Sequence, residues 1–532
     1  MTTVGERLVE MLEARGVEMV FGIPGVHTIE LYRGLAGSSI RHVTPRHEQA
    51  AGFLADGYAR ATGKPGVAFL ITGPGLTNVI TALAQARADS VPVLAISGVN
   101  ARATLGRGLG CLHELPDQCA TMASVCLSSE RIEDPRDLGP ALDRAFALFA
   151  SGRPGPVHIE IPTDVMALPC DDTSTDEAAS AGPPQPDATA IAGAAALLSR
   201  ARSPAILVGG GAKGAADLVC RIAERLDAPV VMTANGRGLL HAHPLGVPAS
   251  PSLKSVRALL ADSDAVLAIG TEFGPTDYDM YVVGGFPPLK GLVRIDVDAA
   301  QIARHACDIA IVADARDAVE VLMSALEDRP ADAAPGAGTA RAREARDAAW
   351  DEIGQRYRSH VDALDAIRKA APGAMIVGDS TQAVYAGNLF FDHDRPGGWF
   401  NAATGYGALG FGPPAAIGAK LGRPDVPVVC VVGDGGMQFV LAELGTAMDE
   451  KAAVVFVVWN NGGFQEIETS MVEAGIAPVG VRPSAPDFCQ VAQSYGMEAQ
   501  RIASLGALGA AVSQALACGG PALVEIVGDP AL

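Results

Sequence analysis

Residues 428–464, "VVCVVGDGGMQFVLAELGTAMDEKAAVVFVVWNNGGF", contain two apolar runs that each stop on polar groups. The first run ends at Gly433-Asp434-Gly435, the second at Asn460-Asn461-Gly462. A carboxylate and a side-chain amide carbonyl are both oxygen donors, which suit Mg2+ or Ca2+ better than a soft transition metal. Mg2+ usually completes its shell with phosphate oxygens and water. Gly435 and Gly436 leave backbone N–H groups open where a diphosphate is held. The text between the two motifs reads as one helix. GDG by itself is an ordinary turn, but paired with NN on a second strand end it marks a metal and diphosphate site.

Further candidates lie near the N-terminus. In "TPRHEQAAGFLADGYARATGKPGVAFLITGPG" (44–75), Glu48 follows a short strand, where a solvated carboxylate is the ordinary alternative. His27 sits in "FGIPGVHTIELY" (21–32) and His113 in "GLGCLHELPDQ" (108–118). Imidazoles titrate near neutrality and suit proton delivery, although hydrogen-bonded loop histidines without a chemical step are common.

Elements able to position these residues recur along the chain. Apolar strands at 67–72, 92–98 and 156–162 alternate with helical patterns, then "CDDTSTDEAASAGPPQPD" (170–187) loses periodicity. The pattern resumes at 204–215, 229–238, 265–270 and 292–298, and a second linker begins at "EDRPADAAPGAGTA" (327–340). The last set is 375–379, 428–434, 454–461 and 522–530. Nearly continuous aliphatic strands between helices indicate parallel sheets buried on both faces. The reading is α/β, three consecutive doubly wound domains with mainly parallel sheets. Their expected bounds are 1–169, 188–326 and 346–532, with linkers at 170–187 and 327–345. Ligands of such folds sit at the C-terminal strand ends, where Asp434 and Asn461 fall.

Composition agrees with that scale. A chain of 532 residues suggests three units of roughly 150–180 residues. Hydrophobic residues at 49% suit well-filled cores, and a net charge of −20 disfavours nucleic acid or an anionic membrane as partner. Nine cysteines form no CxxC pair, and the N-terminus is an amphipathic helix without a signal-peptide pattern. The longest aliphatic runs are too short to span a bilayer, so a reduced, cytoplasmic protein is expected.

"GDGG" followed after 23 residues by "NNGGF" resembles the diphosphate and metal motif of thiamine-diphosphate enzymes. Across all three segments the chain resembles the acetolactate synthase and 2-oxo acid decarboxylase superfamily, with two thiamine-diphosphate-binding folds flanking a central Rossmann-like domain. The resemblance implies Mg2+ on Asp434, the Asn461 side chain and the Gly463 carbonyl, with Gly435, Gly436 and Met437 against the diphosphate. "GDSTQ" (378–382) would add phosphate contacts from Ser380, Thr381 and Gln382. In "ATGYGALGFGPPAAIGAK" (403–420), the Gly407 carbonyl would accept from the cofactor's 4′-amino group. Leu409 would wedge the cofactor into a bent shape, where Met is the commoner choice. Glu48 corresponds to the carboxylate on the pyrimidine N1′ that lets the amino group take the C2 proton. "GPGLTN" (73–78), beginning at Gly73, would line the pyrimidine pocket.

The resemblance also implies active sites between subunits, hence a homodimer at minimum and by family habit a homotetramer. Decarboxylation of a 2-oxo acid can end in an aldehyde or in a carboligation product such as acetolactate. The synthases' flavin stretches have no counterpart at 243–255 and 268–280, so there is no ground for FAD. "GIPGVHTIELYRGL" with "TPRHEQAAGF" most resembles decarboxylases of 5-guanidino-2-oxopentanoate. A cationic tail of that kind needs a carboxylate or an aromatic face, and the acids Glu466, Glu468 and Glu473 follow the metal motif. A carboligase, or a cofactor-binding subunit without turnover, are the alternatives.

Overall fold

The structure is a computed structural model that describes residues 2–171, 182–278, 285–327 and 336–528. Parts of both expected linkers, 172–181 and 328–335, lie outside the described residues. The helix Ala337–Glu352 already begins within the second expected linker.

Three six-stranded, all-parallel sheets carry the chain. The first contains β1 (Met19–Gly22), β2 (Arg41–Val43), β3 (Gly66–Leu70), β4 (Val93–Val99), β5 (Ser128–Arg131) and β6 (Pro156–Pro162). Its order is β2-β1-β3-β4-β6-β5. The second contains β7 (Pro204–Val208), β8 (Val230–Met232), β9 (Gly246–Val247), β10 (Ala265–Ile269), β11 (Leu292–Asp296) and β12 (Ile309–Val312). Read from its far edge it runs β9-β8-β7-β10-β11-β12, the strand order of dinucleotide-binding folds.

The third sheet contains β13 (Met375–Gly378), β14 (Trp399–Asn401), β15 (Val428–Gly433), β16 (Val454–Asn460), β17 (Glu498–Ile502) and β18 (Ala522–Val527). Its order, β14-β13-β15-β16-β18-β17, repeats that of the first sheet strand for strand. β15 is buried along its whole length and β16 up to Trp459, which explains their unbroken aliphatic sequences.

The first and third sheets share one continuous core. At its centre the helix Glu48–Thr62 packs on the helix Gly412–Gly422. A Cβ on Gly57 would run into the Ala415 backbone carbonyl, and one on Gly418 into that of Leu54. Backbones this close leave room for glycine alone. Among the described residues, no helix is long and apolar enough to cross a membrane.

The segment joining β15 to β16 departs from the single helix read in the sequence. It forms two short helices, Asp434–Gln438 and Glu443–Asp449. Gly435 and Gly436 weaken the first helix by about 1 kcal/mol each relative to Ala. The buried Glu443 carboxylate, opening the second, accepts from the Arg46 backbone N–H at 3.0 Å and the Thr446 hydroxyl at 2.7 Å. The break thus ties the third sheet's crossover to the first domain.

Candidate active site

β15 and β16 are neighbours, so Asp434 and Asn461, one residue beyond each, come together at the sheet's C-terminal edge. The Asn461 side-chain amide lies 3.2 Å from Asp434 Oδ1, 2.9 Å from the Gly463 carbonyl and 2.9 Å from Gln465 Oε1; with its nitrogen toward Asp434 and Gly463 it donates to both, and with its oxygen toward them it completes a set of three oxygens. In the second orientation no hydrogen separates the three oxygens, and a cation among them offsets their repulsion. Adjacent ligands of octahedral Mg2+, bonded at about 2.0–2.1 Å, are separated by about 2.9 Å. The second Asp434 oxygen is buried without a hydrogen-bond partner, and burial pushes this carboxyl up. The donor set fits a divalent cation.

A cavity of about 400 Å³ opens beside these oxygens. Gly433, Gly435 and Gly436 form part of its wall, and a Cβ on Gly435 would collide with the Phe464 ring. A Cβ on Gly436 would lie 2.6 Å from Asp379 Oδ1. The turn after β13 contributes Ser380 and Thr381, the helix Gln382–Leu389 that follows contributes Gln382 and Tyr385, and the loop after β14 contributes Gly407 and Leu409. Gln382 is buried with its side-chain oxygen unpaired. Gly407 has φ +77°, which suits glycine.

One expectation needs correction, at Glu468, and that for Met437 narrows to its backbone. The Met437 side chain is fully buried in the core shared by the first and third domains and does not line the cavity. Glu468 turns away from the cavity to the Arg482 guanidinium, with oxygens at 3.1 Å from Nε. Helical spacing separates it from Glu466, two positions earlier, which does line the cavity. The Glu466 carboxylate has no hydrogen bond or ion pair among the described residues, and its charge helps raise the Tyr385 hydroxyl to about 12, mostly through burial.

The sequence reading missed Asp379 and Thr276. Asp379 accepts from the backbone N–H groups of Ser380 (2.9 Å), Gly410 (3.3 Å) and Gly412 (2.8 Å). It thereby fastens the Gly407–Leu409 loop to the end of β13. Burial raises its carboxyl to about 6 against those donors. Thr276, from the central domain, reaches the cavity and donates to the Thr404 carbonyl at 3.1 Å.

A second set collects at the C-terminal edge of the first sheet. Glu48 opens its helix, and Asn78 Nδ2 donates to its carboxylate at 3.0 Å. The His27 and His113 rings stack with centroids 5.4 Å apart. His113 Nδ1 lies 3.2 Å from the Thr72 carbonyl. Gly73, at φ +65°, leaves space that a Cβ would take from the His113 backbone, 2.6 Å away. None of Glu48, Gly73, His27 and His113 lines the 400 Å³ cavity. A single chain therefore carries two separate sets, one rich in oxygen donors and one in acid–base groups.

Family comparisons attach to both sets. Residues 2–121 match the thiamine pyrophosphate enzyme N-terminal TPP binding domain, 191–322 the central domain and 379–526 the C-terminal TPP binding domain. The chain belongs to the thiamine pyrophosphate enzymes. It is similar to the probable 2-ketoarginine decarboxylase AruI of Pseudomonas aeruginosa, 43% identical over 98% of this chain and 94% of that protein. It is also similar to acetolactate synthase isozymes 1 and 3, large subunits, of Escherichia coli. These are 30% identical over 98% of this chain and 93% of the relative, and 32% over 97% and 92%.

In this thiamine pyrophosphate enzyme a further cavity of about 350 Å³ lies between the central domain and the first, whose Arg60, Asp89 and Arg153 share its wall. It sits at the C-terminal ends of β7, β10 and β11 and is lined by Gly209–Gly211, Lys213, Thr271 and Asp296, among others. The Gly210–Ala215 segment forms a 3-10 turn leading into a helix.

Proposed function

We propose that the chain decarboxylates 5-guanidino-2-oxopentanoate (2-ketoarginine) to 4-guanidinobutanal and CO2, using thiamine diphosphate and Mg2+. The observation carrying the substrate class is Glu466: an unpaired carboxylate on the wall of a cavity that also holds the cation-type oxygen cluster. The 43% identity with the probable 2-ketoarginine decarboxylase supports the same reading. A guanidinium beside Glu466 would gain a charge-assisted, bidentate partner.

When bound, the cofactor supplies an electron sink that accepts the electrons left as CO2 departs. Asp434, Asn461 and the Gly463 carbonyl would hold Mg2+. Gly435, Gly436 and the backbone of Met437, with Ser380, Thr381 and Gln382, would hold the diphosphate. Gly407 and Leu409 would orient the pyrimidine end. Glu48, steadied by Asn78, would hold a proton at the pyrimidine, with Gly73 in the same wall. His27 and His113 would move protons at the substrate carbon. Because the two sets are apart in one chain, the complete site would form between subunits of a homodimer, or of a tetramer built from dimers. Nine unpaired thiols suit a reducing, cytoplasmic setting.

Similarity to acetolactate synthases favours a second reading, condensation of two pyruvates to acetolactate. CO2 release with thiamine diphosphate and Mg2+ should be measured on pyruvate, a branched aliphatic, a phenyl and the guanidino 2-oxo acid. Preference for the guanidino acid, with stoichiometric aldehyde, is expected. Preference for pyruvate with acetolactate formed would replace the proposal by the synthase reading.

A further inference from the structure

Asn100 stands one residue beyond β4, as Asn461 stands one beyond β16 in the sheet of matching order. Its side chain is not assigned a role by the motifs. Asn100 Nδ2 donates to the Leu112 backbone carbonyl at 3.1 Å, in the loop that carries His113. That bond fixes which way the amide points, and Asn100 Oδ1 is left facing His27 Nε2 at 3.0 Å. An amide oxygen only accepts, so the proton of the His27 ring must be on Nε2. Its Nδ1 is then a bare acceptor, buried and without a partner. The Thr72 carbonyl likewise requires the proton of His113 on Nδ1, which leaves Nε2 of that ring bare. The stacked rings hold opposite tautomers.

We propose that Asn100 is a positioning residue that sets the His27 tautomer and, through Leu112, the placement of the His113 loop. A bare, buried Nδ1 is prepared to receive a proton or a substrate hydrogen bond, and the alternative tautomer would present a donor there instead. Among the described residues, His113 is the titratable side chain in ring contact with His27. The inference rests on His27 taking part in the reaction proposed above.

Two variants separate the two bonds. Asn100→Ala removes both, whereas Asn100→Asp keeps an acceptor for His27 but cannot donate to Leu112. Long-range proton–nitrogen NMR correlations of 15N-histidine-labelled full-length protein, loaded with thiamine diphosphate and Mg2+, read the tautomer. The His27 signals are assigned by their loss in His27→Gln. The wild type and Asn100→Asp should show protonated Nε2, and Asn100→Ala a mixture. Turnover should fall about tenfold in Asn100→Ala with KM within about twofold, below the loss expected for removing acid–base assistance altogether. In Asn100→Asp the pH–rate profile should move upward, because a carboxylate favours imidazolium. In the His27→Gln background, Asn100→Ala should cost clearly less than in the wild type, the remainder acting through Leu112 and the His113 loop. An unchanged tautomer in Asn100→Ala, or an undiminished cost without His27, would overturn the proposal. Wild-type turnover by His27→Gln would remove His27 from the reaction, and the spectrum would still decide whether Asn100 sets its proton.

Discussion

Asn461→Asp gives the sharpest test of the cation cluster. The substitution changes an oxygen and an amide into two oxygens with no change of size. It places a second carboxylate oxygen 3.2 Å from Asp434 Oδ1. At an effective dielectric of 20, two unit charges at that separation repel by about 5 kcal/mol. The pair avoids part of this by sharing a proton, so its folded-state affinity for that proton rises above the unfolded value. The cost is therefore fully present at pH 8 and disappears as the pH falls toward 4. With about 4 kcal/mol lost in the metal-free protein, and about 2–4 °C per kcal/mol for domains of this size, the thermal midpoint should drop by about 8–16 °C at pH 8. Mg2+ should restore it, giving the variant a larger metal-induced rise than the wild type. The assay is a thermal melt at pH 5 and 8, with and without Mg2+ and thiamine diphosphate. A metal-free variant as stable as the wild type at pH 8, with no extra response to Mg2+, would show that these oxygens do not converge on a cation.

Glu48→Gln should keep the fold and bind thiamine diphosphate, measured by calorimetry, while losing at least about a hundredfold in turnover; near-normal turnover would remove Glu48 from the mechanism. Glu466→Gln should lower kcat/KM for the guanidino acid about thirtyfold, or about 2 kcal/mol, less than a fully buried pair because the site is open to water. Its kcat/KM for an aliphatic 2-oxo acid should stay unchanged, and an equal loss on both substrates would contradict ion pairing. Gly418→Ala gains about 1 kcal/mol of helix propensity but drives a methyl into the Leu54 carbonyl, so a net loss of about 2 kcal/mol and a fall of about 4–8 °C is expected. A rise in the midpoint would mean the two helices can part without cost. Burial pushes the Asp277 carboxyl up to about 7, above its unfolded value, so its destabilising effect is present above pH 7 and fades as the pH falls. Asp277→Asn should accordingly be more stable than the wild type by a few kcal/mol in chemical denaturation at pH 8 and equal to it near pH 4; an advantage that persists at pH 4 would refute this.

What could be read from the sequence shares one physical property: it is local. β15 and β16 announce themselves because strands covered on both faces are unbroken aliphatic runs, and Asp434 and Asn461 stand out by interrupting them. Glu466 belongs to the same stretch, so the cavity wall was legible to within a turn of helix. Nothing local distinguishes Glu466 from Glu468, since the partner that draws Glu468 away, Arg482, lies on a separate loop. The split crossover helix was hidden for a similar reason: Glu443 is held by the Arg46 backbone, nearly 400 positions earlier. Asp379 and Asn100 are the clearest cases. Each is a single polar residue at a strand end, indistinguishable in type from a surface turn. Each becomes meaningful only when folding brings loops from other strands to it, Gly410–Gly412 for the one and the histidine loops for the other. In parallel sheets of this order the reactive groups are introduced by strand ends, but the residues that fix their orientation come from neighbouring crossovers. A motif therefore locates the chemistry, and the side chains that tune it lie where the topology closes.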